Sequence, residues 1–498
     1  MSALILGDRP VHTWLKKISV AFDLGPSTPL LEKMVEGLKQ AFKRLGHRVH
    51  AVPRDDTDVL ITSAPFEEPL PWRRALLFTA RRRYHLKRLP ALYTLVQVTR
   101  EHLCSLWSRL EEALAKDPPD PDDLRFPGLA AGACDVLLEQ GRRAGPILAL
   151  ERLIQARTKS LRVMLLIGDD EPEDLYHFNL VGAYPRSGAE DLEAFYDDIV
   201  MRIVTDVSTE GVAQHQYVEP PVPREVWASL STPDAMCRAS EVLNERNFFS
   251  SMIRIADLVQ VPAVGDAVAD QYSEGCFSTW EPRLDALIAT ITGSASPVNK
   301  GKISYEDLAV IIGVRDDEKG ALVRRVEGEA NRPPSSEAVE MIGMDSALPF
   351  ITLDPVWEVG GRVPVVRSKL HGHRGVAAYD PEHVEYVSLS PPYYAYPVTC
   401  GSDAQARGIK DAFAHSEALQ NPEDQRQVVF TVLPGHGVVI AEKWIPGAAP
   451  FETIWQYMDR GYLVVDTRVP QGAMAYRPAA DGRFILHKED KVQQSPCP

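Results

Sequence analysis

The chain has 498 residues, with 54 lysines and arginines against 69 aspartates and glutamates, for a formal net charge of −15. Its 45% hydrophobic and 25% charged content is that of a folded globular protein, which excludes a disordered, collagen-like or disulfide-scaffold chain. The acidic balance argues against a nucleic-acid backbone or an anionic membrane as partner and suits a small neutral or cation-assisted substrate.

The opening MSALILGDRPVHTW lacks the basic segment and apolar run of a signal peptide, and no stretch is apolar for long enough to predict a membrane-spanning helix. The six cysteines, Cys104, Cys134, Cys237, Cys276, Cys400 and Cys497, include no CxxC pair. They are expected as reduced core thiols, from which a cytoplasmic, reducing location follows.

Residues 18–23 read as a buried strand. Thr28 then caps a helix with Pro29 at its first position, where a missing N–H costs nothing. Leu31, Met34, Val35, Leu38, Phe42 and Leu45 recur at three- and four-residue spacing, and Gly46 ends the helix. Residues 59–62 and 92–98 follow as strands, which predicts a parallel α/β layer. Ligands of such sheets bind beyond the carboxyl ends of the strands, so Asp23, Ser63, Phe66 and Trp72 are expected to face a cleft. Five prolines make 116–128 an irregular connection; 139–157 reads as helix and 161–167 as an apolar strand.

Further along, 191–207, 235–247 and 284–292 read as helices, and 219–223 as a proline-rich link. After Pro349 short β-rich runs at 363–367, 384–389, 428–432, 438–442 and 463–466 alternate with glycine and proline, with one helix at 450–458. The expected architecture is therefore two parallel-sheet α/β domains, 1–160 and 161–345, followed by a small β-rich, barrel-like domain, 346–498.

Three segments concentrate polar residues. Glu274 sits in a Ser/Gly/Cys setting before a helix, where it is either a partly desolvated acid/base or an ordinary helix-start carboxylate. In 367–375, His371 and His373 offer two imidazoles, and Arg374 with its cationic neighbours suits a phosphate or carboxylate; a plain loop is the alternative. His436 stands between two glycines at the mouth of a strand. The 333–337 run, Pro-Pro-Ser-Ser-Glu, reads as an exposed turn and helix cap, with Glu340 and Asp345 left as possible cleft residues. Tyr393, Tyr394 and Tyr396 form an aromatic cluster suited to packing or to stacking on a sugar.

In order and texture, Ser273-Glu274, then Ile291-Thr292-Gly293-Ser294-Ala295-Ser296-Pro297-Val298, then Gly435-His436-Gly437 with Gly447-Ala448-Ala449, resemble the L-fucose isomerase and L-arabinose isomerase group. The resemblance covers about a tenth of the chain. It implies a sugar isomerase that interconverts aldose and ketose through an enediol, with Mn²⁺ held by Glu274 and His436 and with Glu274 in the acid/base pair. The group's second acid falls near Asn299 and Lys300, neither a carboxylate. Either Glu281, Asp285 or Asp307 then serves, or the metal is lost and Lys300 holds an oxyanion while His371 or His373 shuttles protons. Substrate contacts are expected from His371, His373, Arg374, Trp72 and Trp444, in a homo-oligomer (trimer or hexamer) binding a small sugar or polyol and neither nucleic acid nor membrane. The alternatives are a metal-independent lyase or epimerase, or a non-catalytic sugar-binding protein, on the same scaffold.

Overall fold

The computed structural model describes residues 5–6, 9–10, 15–25, 27–66, 80–117, 162–178, 183–187, 191–209, 213–246, 248, 275–291, 301–353, 361–389, 398, 401–421, 423–466, 469, 472, 474–478 and 484–486. The fold is mixed α/β, with two large sheets of seven and nine strands. By contacts the chain divides into two compact units, one built mainly from Val11–Ser208 and the other mainly from Thr209–Met252 and Ala267–Val492. Among the described residues, no helix is long and apolar enough to cross a membrane.

The seven-stranded sheet starts as the hydrophobic pattern predicts. Ser19–Phe22 pairs in parallel with Arg48–His50 on one side and Val59–Ser63 on the other, and Ala91–Val98 and Arg162–Ile167 extend the parallel run. Asp174–Phe178 and Ala183–Ser187 then add two antiparallel strands. The Thr28 hydroxyl accepts from the Leu31 N–H at 3.2 Å, and the helix Pro29–Arg44 buries Leu31, Met34, Val35, Leu38 and Phe42. It packs with helix Leu192–Ser208 in the same apolar core.

At the carboxyl ends of these strands, the expected cleft residues are engaged with neighbours. Asp23 pairs with Arg83 at 3.1 Å, Ser63 is buried, and Phe66 sets its ring against His102. Trp72 lies outside the described residues, as do most of 116–128 and all of 139–157.

The nine-stranded sheet differs from expectation. Gln216–Val222, Ala321–Val326, Leu308–Val314, Ala286–Thr290, Cys276–Glu281, Val366–Gly372, Gly437–Lys443, Val428–Leu433 and Val384–Tyr386 lie side by side in that order. Only the two edge pairings are parallel. Strands from 216–326 and from 366–443 thus share one mostly antiparallel sheet, where the sequence pattern suggests a second parallel layer and a separate β-rich unit. The run 286–290, Ala-Leu-Ile-Ala-Thr, is a fully buried strand rather than part of a helix, because a short apolar run has no period by which to tell the two apart. The proline-rich 219–222 is the end of an edge strand with a shifted register, the place where missing N–H groups are tolerated.

Side-chain alternation separates the faces of this sheet. Phe277, Ile288, Val310, Leu370, Phe430, Val438 and Ile440 build the large apolar core with helices Thr232–Glu245 and Glu452–Asp459. The opposite face carries buried polar groups instead, among them Lys369 and His371. Helix Ala338–Asp345 packs on the strands of this sheet and against helix Asp403–Ala414.

Cys104, on helix Arg100–Ala115, is disulfide-bonded, whereas Cys237 and Cys276 are not in disulfides. The pairing corrects the expectation that all six cysteines are reduced core thiols. Pairing depends on which Cα atoms the fold brings within reach, and spacing along the chain does not reveal that.

Candidate metal centre

Among the described residues, Glu337, His371, His373 and His436 bring their ligand atoms within 4.8 Å of one another, and all four are buried. Each arrives on a different piece of local structure. His371 stands on strand Val366–Gly372, two residues after Lys369 and on the same face. His373 follows in the turn before strand Gly375–Tyr379.

His436 belongs to the three-residue turn joining Val428–Leu433 to Gly437–Lys443, where Gly435 takes a left-handed φ of 71°. Gly437 allows the close approach of strands: a Cβ there would sit 2.1 Å from the carbonyl oxygen of Gly372. That approach brings the His436 turn against the 371–373 segment.

Glu337 is the N-cap residue of helix Ala338–Asp345. The 333–337 turn is therefore a helix cap, as its sequence suggests, but a buried one: Ser335 and Glu337 are 3% and 6% exposed, and the Ser335 hydroxyl donates to the Glu337 carboxylate. The far end of the helix is pinned by a buried ion pair, Asp345 Oδ2 to Lys369 Nζ at 2.5 Å. The spans match: Glu337 to Asp345 is about 12 Å of helix, and Lys369 to His373 about 13 Å of extended chain. The helix therefore crosses the strand in the opposite sense, its C-terminal end over Lys369 and its N-terminal end over the histidines.

The imidazoles pack edge to face, with ring centroids 5.2 Å apart for His371–His373 and 4.8 Å for each with His436. His371 Nδ1 lies 3.1 Å from the Val438 carbonyl, which makes it the protonated nitrogen and leaves Nε2 as a lone-pair donor. The Nε2 atoms of His436 and His373 are 3.2 Å apart. Two donors sharing one metal at about 2.0–2.1 Å stand about 3–3.4 Å from each other. Burial, reinforced by His371, pushes the His436 pKa down to about 3, so its ring is neutral.

A second buried carboxyl backs the group. Glu340 accepts from the Gly401 N–H at 3.0 Å, while its Oε2 has no hydrogen-bond partner. Burial and then the neighbouring Glu337 raise its pKa well above the ordinary carboxylate value, favouring the neutral acid. Gln405, near the start of helix Asp403–Ala414, places its amide nitrogen 2.9 Å from His436 Nδ1.

The sequence candidates distribute as follows. His371, His373 and His436 converge. Arg374 is buried, and its Nε donates to the Phe248 carbonyl at 3.2 Å. Trp444 is buried with the Arg367 guanidinium 4.5 Å from its ring centroid. Glu274, Asn299 and Lys300, and Tyr393, Tyr394 and Tyr396, lie outside the described residues. Of the alternative acids, Glu281 bonds Thr232 at 2.6 Å and Asp307 bonds Arg332 at 2.8 Å, while Asp285 occupies a left-handed turn position. Glu337 is not read as a ligand from the sequence; the available signal is an acidic residue opening a helix that is mostly apolar.

The donor set suits a metal ion on chemical grounds. Three imidazoles and one carboxylate form a complete first-row transition-metal set, richer in nitrogen than the oxygen-dominated set expected for Mn²⁺. Comparison with family models, curated proteins and solved structures returned no match to this chain.

Proposed function

We propose that Glu337, His371, His373 and His436 hold one divalent transition-metal ion and that the protein is a metal-dependent enzyme acting on a small oxygenated substrate. The convergence of four buried donors on one point carries this reading. A divalent ion would draw its ligands from such a set, since the carboxylate supplies charge and the imidazoles supply lone pairs. Imidazole-rich coordination favours Zn²⁺, Fe²⁺, Co²⁺ or Ni²⁺ over Mn²⁺.

The reaction class comes from the sequence resemblance: aldose–ketose isomerisation, in which a base moves a carbon-bound proton and the ion steadies the enediolate oxygens. The order of the Glu274 and His436 motifs supports this part, together with the His436 imidazole standing among the donors. The same resemblance supports a homo-oligomer, testable by light scattering. Elemental analysis of the purified protein, paired with incubation of candidate aldoses in heavy water, tests both levels. The expected results are one transition-metal ion per chain and deuterium entering at the carbon next to the carbonyl. Metal without exchange would retain the centre and remove the isomerase.

A second reading, a structural metal site, is favoured by one observation: four protein donors complete a tetrahedral set, and every one of them is buried. It predicts metal that chelators remove only with unfolding, and no turnover.

A further inference from the structure

We infer that Gln405 is a positioning residue for the metal centre, whose side-chain amide selects which nitrogen of His436 carries the proton. The inference rests on the metal reading above. The Gln405 amide nitrogen lies 2.9 Å from His436 Nδ1, and an amide N–H can only donate. Nδ1 is then the acceptor, so the ring proton is on Nε2. That proton points at His373 Nε2, 3.2 Å away, as a hydrogen bond between the two rings.

In this tautomer Nε2 offers no lone pair to an ion. Coordination through Nε2 requires the proton on Nδ1, and Nδ1–H then needs an acceptor. Gln405 carries that acceptor: its Oε1 is buried and has no hydrogen-bond partner, in a residue only 5% exposed. Rotation of the amide by half a turn presents Oε1 to Nδ1–H. His371 needs no such change, since the Val438 carbonyl already fixes its Nδ1 as the donor. The two histidines therefore differ: one is held ready by backbone, the other is set by an amide that serves either tautomer. The Ser402 hydroxyl anchors Gln405 by accepting its backbone N–H at 3.2 Å.

The test uses the full-length protein, Zn²⁺ as probe and two variants of similar size. Gln405→Met removes the acceptor, and its Zn²⁺ dissociation constant is expected to rise about 10- to 100-fold. Gln405→Glu supplies a permanent acceptor and is expected to bind at least as tightly as the unaltered protein. Long-range ¹H–¹⁵N spectra of the unaltered protein give a readout that needs no variant to fold: His436 should carry its proton on Nε2 without metal and on Nδ1 with Zn²⁺. Unaltered protein that binds Zn²⁺, with Gln405→Met binding equally well or Nδ1–H already present without metal, would overturn the role of Gln405 alone. Unaltered protein that takes up no Zn²⁺ would overturn the metal reading and this inference together.

Discussion

Each of the two units buries a carboxylate next to imidazole, and the two groupings differ in geometry. In the seven-stranded unit Asp206 is bonded by Arg162 at 2.6 Å and by the Tyr93 hydroxyl, with His177 at 3.9 Å. Burial opposes its charge, yet Arg162, His177 and Tyr93 hold its pKa below the ordinary value. A guanidinium is always charged, so that grouping is neutralised from within. In the nine-stranded unit Glu337, His371, His373 and His436 instead bring four ligand atoms within 4.8 Å of one another. The contrast teaches that the presence of buried histidine and carboxylate does not by itself indicate a ligand site. The convergence of several ligand atoms on one point sets the second grouping apart.

The largest expected effect removes the internal cation. Arg162→Met leaves Asp206 buried without it and should cost about 3–5 kcal/mol in chemical denaturation of the seven-stranded unit. Lys369→Met does the same to Asp345 beneath the metal centre and should cost a similar amount, while Lys369→Met with Asp345→Leu should recover most of it.

Next comes the external cation. Zn²⁺ at about 100 times its dissociation constant should stabilise the protein by about 2.7 kcal/mol. Hydrogen exchange should place that protection in strands Val366–Gly372 and Gly437–Lys443 rather than in Arg162–Ile167. His371→Ala with His436→Ala should abolish the gain. Protection spread equally over both sheets would remove the distinction between the groupings.

A smaller effect follows from acid. Burial pushes the His177 pKa down to about 4 from its ordinary 6.5. Between those values the unfolded chain binds a proton that the folded chain excludes. Stability from this group is whole above pH 6.5 and falls as pH drops toward 4, by about 1 kcal/mol per pH unit. His177→Phe should flatten that slope. The smallest is a reference substitution outside both groupings: Thr28→Ala removes one helix cap and should cost about 1 kcal/mol, whatever the metal content.

The first strand, its helix and the Thr28 cap are legible in the sequence because their signals are local: period, cap and stop all lie within about thirty residues. His371, His373 and His436 stand out for a similar reason, as imidazoles flanked by glycine. Glu337 does not, because nothing within its Pro-Pro-Ser-Ser-Glu turn reveals that it is buried. Its surroundings come from the Asp345–Lys369 pair at the other end of the helix and from the segment at Gly401, whose N–H reaches Glu340. The same long-range packing decides that 286–290 is a strand and that strands 276–281 and 366–372 are neighbours, ninety residues apart. Periodicity cannot carry such information, since cross-strand partners are set by the sheet as a whole.

X-ray absorption at the zinc edge of the Zn²⁺-loaded protein addresses the centre most directly. The account predicts one ion per chain with nitrogen and oxygen neighbours at about 2.0–2.1 Å and the multiple-scattering signature of several imidazoles, all lost in His371→Ala with His436→Ala. A hydrated ion without imidazole scattering, or an unchanged spectrum in that double variant, would contradict it.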